Sequence, residues 1–229
     1  MALTRQEAKF RKIYSSPKGP LIGSMIMVAL AVTPEQEQKL QWLGVKDSKL
    51  LRREAREEMF DRIHEIVHDF RIEVIEADAV DNALNDINSN LNWLEANSQA
   101  RMCSELNPDL MIIDCPSINI QGYTDYFKTK LSKGVLEKSE IRMEHKADAK
   151  YPVVAAASVV AKVIRDRSID HLKEEIGIDF GSGYMGDQKT RDFLSEHYDN
   201  PKCQHIFRKM WKPYQNLVEA KKQKKLGEF

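Results

Sequence analysis

The feature that most limits what this chain can fold into is the apolar run LIGSMIMVALAV, at positions 21–32. Nearly every residue in it is apolar, which is typical of a strand buried on both faces, although periodicity alone does not exclude a buried helix. The run is too short to cross a bilayer, which takes about 20 apolar residues. We therefore predict a central strand here and no membrane association.

Segments of strand character and helix character alternate along the rest of the chain. Strand patterns are found at residues 11–16, 71–77, 110–113 and 140–145. Helical periodicity is found at residues 51–67, 80–106, 152–175 and 189–198. This alternation predicts an α/β fold around a mixed, largely parallel central sheet flanked by helices, with an antiparallel pair of strands at its start.

Three segments are expected along the chain. Residues 1–12 are mostly polar and predict a loosely held lead-in, residues 13–200 form the main domain, and residues 201–229 form a basic helical extension. That extension has eight Lys or Arg residues against two Glu residues, a local excess of six positive charges. Its basic and aromatic residues suit a nucleic-acid backbone, but they also fit a helix packed by Phe207 and Trp211 with its lysines in solvent.

The composition narrows the class of protein. The 229 residues carry no net charge, so any surface for a polyanion has to come from local segregation of charge. Three cysteines form no CxxC pair, which argues against a zinc site and favours a reducing compartment. The first residues do not have the pattern of a secretory signal, and we expect a cytoplasmic protein that acts as a monomer.

Two aspartates are placed where a metal site could form. Asp114 ends one predicted strand and Asp148 follows another, and the carboxyl ends of parallel strands meet at one edge of a sheet. Carboxylate oxygens suit Mg²⁺ or Mn²⁺. A lone aspartate after a strand is also a common helix cap or turn former, and that alternative stays open for each residue alone.

The surroundings of Asp148 favour the metal site. His145, Lys146 and Lys150 form a basic cluster around it, in the sequence EHKADAKYPVVAAASVVAKVIRDR. Such a cluster would be costly around a simple buried turn, but it is suitable beside a phosphate. The segment therefore predicts a place where a metal and a phosphate backbone are held together.

The sequence HKADAKYPVVAAASVVAKVIRDR, followed by DFGSGYMGDQKTRDFL, resembles the ribonuclease HII family in its archaeal form. GPLIGSMIMVALAV, LGVKDSKLL and MIIDCPSIN occur in the family's order, so the resemblance runs from about residue 19 to residue 211. It implies a ribonuclease H-like fold with a helical C-terminal extension. It also implies metal-dependent cleavage, in DNA replication and repair, of the RNA strand of RNA–DNA hybrids and of duplex DNA with embedded ribonucleotides.

The resemblance fails at the first strand of the family. Its site uses four acidic residues, of which the two later aspartates correspond to Asp114 and Asp148. Tyr14 and Ser15 stand where the family has an Asp-Glu pair. Neither residue supplies a charged metal ligand, so we expect weaker metal binding and strongly impaired activity. The nearest other carboxylates, Glu7 and Asp47, do not lie on the predicted strand.

The resemblance also implies which residues contact the substrate. The family reads the ribose with a Gly-Arg-Gly turn, for which this chain has Pro17, Lys18 and Gly19, so that recognition there is weakened. Tyr184 corresponds to the tyrosine that stacks on the deoxyribose or base at an RNA–DNA junction. The remaining implied phosphate contacts are Ser48, Lys49 and Lys146.

Three hypotheses follow. The chain is a ribonuclease HII that uses Asp114 and Asp148 as metal ligands, or it is a non-catalytic hybrid-binding derivative of the same fold. Alternatively, the first sixteen or so residues differ from those of the functional gene product through a wrong start, a frame error or engineering.

Overall fold

The computed structural model describes residues 7–12, 20–45, 51–67 and 69–226. Its strands are β1 Glu7–Lys12, β2 Met25–Val32, β3 Asp69–Ile75, β4 Leu110–Asp114 and β5 Glu140–Glu144. Its α-helices are α1 Pro34–Trp42, α2 Arg53–Ile66, α3 Ala77–Asn85, α4 Leu91–Leu106, α5 Ile120–Lys130, α6 Lys133–Lys138, α7 Ala147–Lys150, α8 Pro152–Ile176, α9 Gln188–His197 and α10 Lys212–Leu226. A 3₁₀ helix covers Pro201–Ile206.

The five strands form one mixed sheet in the order β3-β2-β1-β4-β5. β1 pairs antiparallel with β2 and parallel with β4, and β4 pairs parallel with β5. The parallel pairs bring the carboxyl ends of β1, β4 and β5 to the same edge. The predicted α/β fold, with a mixed sheet that begins with an antiparallel pair, is confirmed.

The chain divides into two compact units that are each discontinuous in sequence. The sheet unit contains β1, Ile26–Val74 and Asn92–Ile164, and therefore all of the described strands except the first residue of β2 and the last residue of β3. The helical unit contains residues 20–25, Ile75–Leu91 and Arg165–Phe229. This division differs from the three consecutive segments that the sequence predicted, because helix α8 contributes residues to both units.

Strand β2 is buried along its whole length, as its apolar sequence predicts. Val28 and Leu30 belong to a core that also contains Ile63 of α2 and the valine and alanine residues of α8. The strand begins at Met25 rather than at position 21. The delay has a local cause, since Gly23 has a φ of +86°, which is outside the extended region.

Strand β1 is the largest departure from the prediction. Residues Glu7–Lys12, which the sequence placed in a loosely held lead-in, pair with both β2 and β4. The strand was predicted at 11–16, so its start was wrong, while residues 13–16 lie outside the described part of the chain. The alternation of Ala8 and Phe10 with Lys9 and Arg11 is the period of a strand, but two apolar residues make it a weak signal.

The single long helix predicted at 80–106 is in fact two helices, α3 and α4. They are separated at Asp86, whose carboxylate accepts a hydrogen bond from the N–H of Asn88 at 2.8 Å. The N–H of Ser89 donates to the Asp86 carbonyl at 3.0 Å and closes a turn. Asp, Asn and Ser compete with a helix for backbone hydrogen bonds, and here they interrupt it.

The C-terminal segment favours the packed alternative. Phe207 and Trp211 are buried, and so is Arg208, one of the eight basic residues that the sequence analysis considered for contact with a nucleic-acid backbone. Lys209 and Lys212 are exposed.

The three cysteines are buried free thiols. Within the described part of the chain, no helix has the length and hydrophobicity that crossing a bilayer requires.

The burial of β2 makes a prediction about stability. Replacing Leu30 with alanine should lower the free energy of unfolding by about 3 kcal/mol, because it leaves a cavity in the core. The same change at Leu136, which is 39% exposed on α6, should cost less than about 1 kcal/mol. Urea unfolding of both variants measures the difference, and equal costs would contradict the placement of β2 in the core.

Candidate active site

Strands β4 and β5 end side by side at one edge of the sheet. They pair in parallel with Asp114 opposite Glu144. β1 runs parallel to β4 and therefore ends at the same edge. Ligands in open α/β sheets bind at this edge, because the loops that follow the strands leave polar groups there.

The structure brings together Asp114 and Asp148, the two aspartates that the sequence predicted as metal ligands. Both residues are buried, with 9% of Asp114 and 5% of Asp148 exposed. The Oδ1 atom of Asp114 accepts a hydrogen bond from the N–H of Ala147 at 3.1 Å, and Ala147 is the residue before Asp148. This bond ties the end of β4 to the turn that positions Asp148.

A strained residue begins that turn. Lys146 has a φ of +54° and a ψ of +37°, the left-handed region that costs a residue with a side chain about 1–2 kcal/mol. The Lys146 carbonyl accepts from the N–H of Ala149 at 3.0 Å, and the Ala147 carbonyl accepts from the N–H of Tyr151 at 2.9 Å. These bonds hold helix α7, on which Asp148 lies. The Lys146 side chain is exposed, as a phosphate contact requires.

Glu144 is a third carboxylate near this edge, which the sequence analysis missed. Its Oε1 accepts from the Tyr151 hydroxyl at 2.8 Å, and its Oε2 accepts from the Lys150 ammonium. These hydrogen bonds, from Lys150 first, lower the pKa of Glu144. The stability that they contribute is therefore present above the ordinary glutamate pKa and is lost as the pH falls through the lowered value. Lys150, predicted to lie beside a phosphate, is instead paired with Glu144.

His145 is held at the same edge. Its Nδ1 lies 3.2 Å from the carbonyl oxygen of Cys115, the residue after Asp114. His145 and Lys146 are exposed, whereas Asp114 and Asp148 are buried. The edge therefore has two buried carboxylates with basic side chains at its surface.

Asp114 and Asp148 are suitable ligands for a divalent cation, but two carboxylates do not make a complete ligand set. Two buried aspartates provide the hard oxygen atoms that Mg²⁺ or Mn²⁺ prefers. Nevertheless, among the residues that the structure describes, no group of three or more His, Cys, Asp or Glu side chains gathers to hold an ion. Tyr14, Ser15 and Asp47 lie outside the described residues.

Glu7 does not supply a missing ligand. It is the first residue of β1, whose Phe10 pairs with Ile113 of β4. Its backbone therefore lies roughly 13 Å from the level of Asp114 along the strand direction, at about 3.3 Å per residue. The register places Glu7 at the opposite end of the sheet from the two aspartates.

Tyr184 lies in the helical unit, on a loop that other backbone groups hold firmly. The carbonyl of Gly183 accepts from the N–H groups of Leu21 and Ile22, at 2.8 and 3.2 Å. The N–H of Gly183 donates to the Thr190 hydroxyl at 3.0 Å. Tyr184 is half-buried, with the Arg165 guanidinium 4.4 Å from its ring centroid. The loop therefore presents an aromatic ring that is covered on one face.

Four predicted substrate contacts, Lys18, Gly19, Ser48 and Lys49, lie outside the described residues. Their assignment remains a prediction from the resemblance. The sequence analysis did not predict that Arg165 is buried. It also gave no role to Asp81, whose carboxylate accepts hydrogen bonds from the N–H groups of Lys209 and Met210 at 2.7 and 2.9 Å. The small residues of α8 indicate that Arg165 lies on a buried helix. No feature of the sequence indicates the hydrogen bonds of Asp81.

Comparison with known proteins identifies the family. The model of the family "Ribonuclease HII" matches residues 17–214, a range that begins after Tyr14 and Ser15. Ribonuclease HII of Pyrococcus furiosus is 35% identical over 220 residues, which cover 95% of this chain and 94% of that protein.

Two solved structures agree. The crystal structure of ribonuclease H2 from Pyrococcus horikoshii has a TM-score of 0.80 and 29% identity, covering 94% of this chain and 98% of that one. The structure of the PCNA:RNase HII complex from Archaeoglobus fulgidus has a TM-score of 0.78 and 32% identity, covering 92% and 96%. With the fold and nearly the whole length matched, the chain belongs to the ribonuclease HII family.

Proposed function

We propose that this chain binds RNA–DNA hybrids, and duplex DNA with embedded ribonucleotides, and hydrolyses the RNA strand only slowly. The observation that carries the proposal is the hydrogen bond that joins Asp114 to Ala147, because it fixes two buried aspartates at one edge of the sheet. Membership of a family of metal-dependent ribonucleases supports the substrate and the reaction. The slow rate rests on Tyr14 and Ser15 at the two remaining acidic positions.

Each residue has a separate part in this proposal. Asp114 and Asp148 would hold Mg²⁺ or Mn²⁺, which when bound activates water and offsets negative charge in the transition state. The Ala147 N–H orients the Asp114 carboxylate, and exposed Lys146 attracts a phosphate of the backbone. Tyr184 stacks on the junction nucleotide, while Lys18 and Gly19 meet the ribose and Ser48 and Lys49 meet a phosphate.

The second candidate is a hybrid-binding protein without hydrolytic activity. It is favoured by the absence, among the described residues, of a third metal-ligating side chain beside the two aspartates. Both candidates predict binding of a labelled hybrid, whereas only the first predicts cleavage in Mg²⁺ or Mn²⁺. Binding with no cleavage at any enzyme concentration would select the second candidate, and failure to bind would reject both.

The missing carboxylates predict a gain of activity on restoration. The variant Tyr14→Asp, Ser15→Glu should cleave a labelled hybrid about 10³-fold faster than the parent, because it restores the charge that holds the metals. Tyr14→Asn, Ser15→Gln is the matched control, since it has similar polar shapes without the charge. Equal rates for the parent and the restored variant in both metals would show that these positions are not the missing ligands.

The part of Asp148 is tested in the restored variant. Adding Asp148→Asn should lower the cleavage rate at least about 100-fold while changing the dissociation constant for the hybrid by less than about threefold. Asp125→Asn, on the exposed face of α5, should leave both quantities unchanged. A loss of hybrid affinity as large as the loss of rate would contradict a role for Asp148 in holding the metal.

Lys146 should show opposite effects on stability and on binding. Lys146→Gly should raise the free energy of unfolding by about 1 kcal/mol, because glycine adopts the left-handed region without strain. It should also weaken hybrid binding. The slope of the logarithm of the binding constant against the logarithm of the salt concentration should become shallower by about one, as expected for the loss of one phosphate contact. Lys146→Asn, which removes the charge but also tolerates this region, should show the loss of binding with a smaller gain in stability. An unchanged salt dependence would remove Lys146 from the proposed interface.

A further inference from the structure

Two arginines are buried in the helical unit. Arg165 lies on α8 and Arg208 follows the 3₁₀ helix, and only 4% and 1% of them are exposed. Burial lowers the pKa of Arg208 to about 10, and repulsion by the Arg165 cation adds to the effect. Burying two like charges costs stability that apolar side chains of similar size would not cost. The burial of these two arginines is therefore not explained by packing alone.

Arg165 is fixed from several directions. Its Nη2 donates to the Ser182 carbonyl at 2.9 Å, and its Nη1 lies 3.6 Å from the Asp166 carboxylate. Its Nε has no hydrogen-bond partner within the described part of the chain. A guanidinium is planar, so that two anchored nitrogen atoms determine the orientation of the whole group.

The fixed plane of Arg165 contacts Tyr184. The guanidinium carbon lies 4.4 Å from the centroid of the Tyr184 ring, within the range of a cation–π contact. Arg165 also donates to the carbonyl of Ser182, two residues before the tyrosine. One side chain therefore holds both the backbone of the loop and one face of its aromatic ring.

The loop leaves little room for another arrangement. Gly183 has a φ of +77°, and a Cβ atom there would come within 3.1 Å of the Ile22 carbonyl and 3.3 Å of the Arg165 Nη2. Arg208 holds the segment to which Gly183 is bonded, since its Nε donates to the Gly23 carbonyl at 3.0 Å. Arg165 thus holds the residues on both sides of Gly183, and Arg208 holds the segment that Gly183 contacts.

We infer that Arg165 is a positioning residue for substrate recognition, which fixes the plane of Tyr184 so that the free face of the ring stacks on the junction nucleotide. The inference rests on the proposed function, in which Tyr184 contacts the deoxyribose or base at an RNA–DNA junction. Arg165 itself does not touch the substrate. It acts by keeping one face of the ring covered and the ring in one orientation.

The test compares the affinity of the full chain for two duplexes of the same base sequence in a buffer with EDTA. One duplex has a single ribonucleotide embedded in DNA, and the other has a strand made entirely of RNA. The ratio of the two dissociation constants measures the preference for a junction. Tyr184→Ala should reduce that preference about tenfold, as expected for the loss of one stacking contact.

Arg165→Lys should reduce the same preference about threefold, because lysine keeps the charge but loses the planar contact. In the Tyr184→Ala background it should have no further effect, since Arg165 acts through the ring. Arg167→Lys, on an exposed position of the same helix, is the matched control and should leave the preference unchanged. A preference that Arg165→Lys does not alter, or two effects that multiply in the double variant, would overturn the inference.

A second measurement does not depend on the substrate. In protein labelled at tyrosine, Arg165→Lys should shift the ring resonances of Tyr184 and speed the flipping of the ring, whereas Arg167→Lys should not. If Arg165→Lys does not fold, Asp166→Asn weakens the same anchor and should give smaller changes in the same direction.

The outcomes for the parent separate the two proposals. A parent chain that binds neither duplex rejects the proposed function and, with it, substrate recognition by Tyr184, whereas the ring measurement still tests whether Arg165 fixes the orientation of the ring. A parent that binds both duplexes with equal affinity supports hybrid binding but overturns the inference, because the chain then has no preference for an RNA–DNA junction.

Discussion

The hydrogen bond from the Ala147 N–H to the Asp114 carboxylate is the contact on which the candidate active site depends. A buried carboxylate requires hydrogen-bond donors, and the backbone of the following turn supplies one here. The donor belongs to the residue before Asp148, so the contact that satisfies one aspartate also places the other. The strain at Lys146 is offset by the same contact, because the left-handed residue directs the chain into helix α7.

Sequence reasoning predicted the parts of this arrangement that depend on local patterns. The apolar run of β2, the short β4 that ends at Asp114, and helix α8 are all present. It failed where distant contacts decide the structure: β1 becomes a strand because partners on both sides complete its hydrogen bonds, although its own pattern is weak. The partners of Glu144 were unpredictable for the same reason, and so was the contact between Arg165 and Tyr184, which depends on a loop that folds back onto α8. Residues 14 and 15 lie beyond what the structure describes, so the loss of two metal ligands there remains a prediction.

The two halves of the proposed activity place different demands on the chain. Binding of a polyanion needs exposed cations and an aromatic ring, and these tolerate gradual change because each contributes a small share of the affinity. Metal-dependent hydrolysis needs several carboxylates at one point, and losing one charge affects every step that the metal assists. For a chain with Tyr14 and Ser15 in place of two carboxylates, we therefore propose a much larger loss of rate than of affinity.

The backbone bonds between Gly183 and residues Leu21 and Ile22 have a consequence for the reading of a junction. Leu21 follows Gly19 by two positions in the sequence, and the proposed function places Gly19 in the turn that contacts the ribose. The segment that leads from that turn is thus joined by main-chain atoms to the loop that bears Tyr184. Main-chain bonds depend little on the side chains at Leu21 and Ile22, whereas a side chain at Gly183 would crowd the Ile22 carbonyl, so glycine at this position preserves the proposed spacing between the ribose contact and the stacking contact. If the proposed contacts are correct, substitutions elsewhere in the two segments change the affinity for a junction more than they change the number of nucleotides between the two contacts.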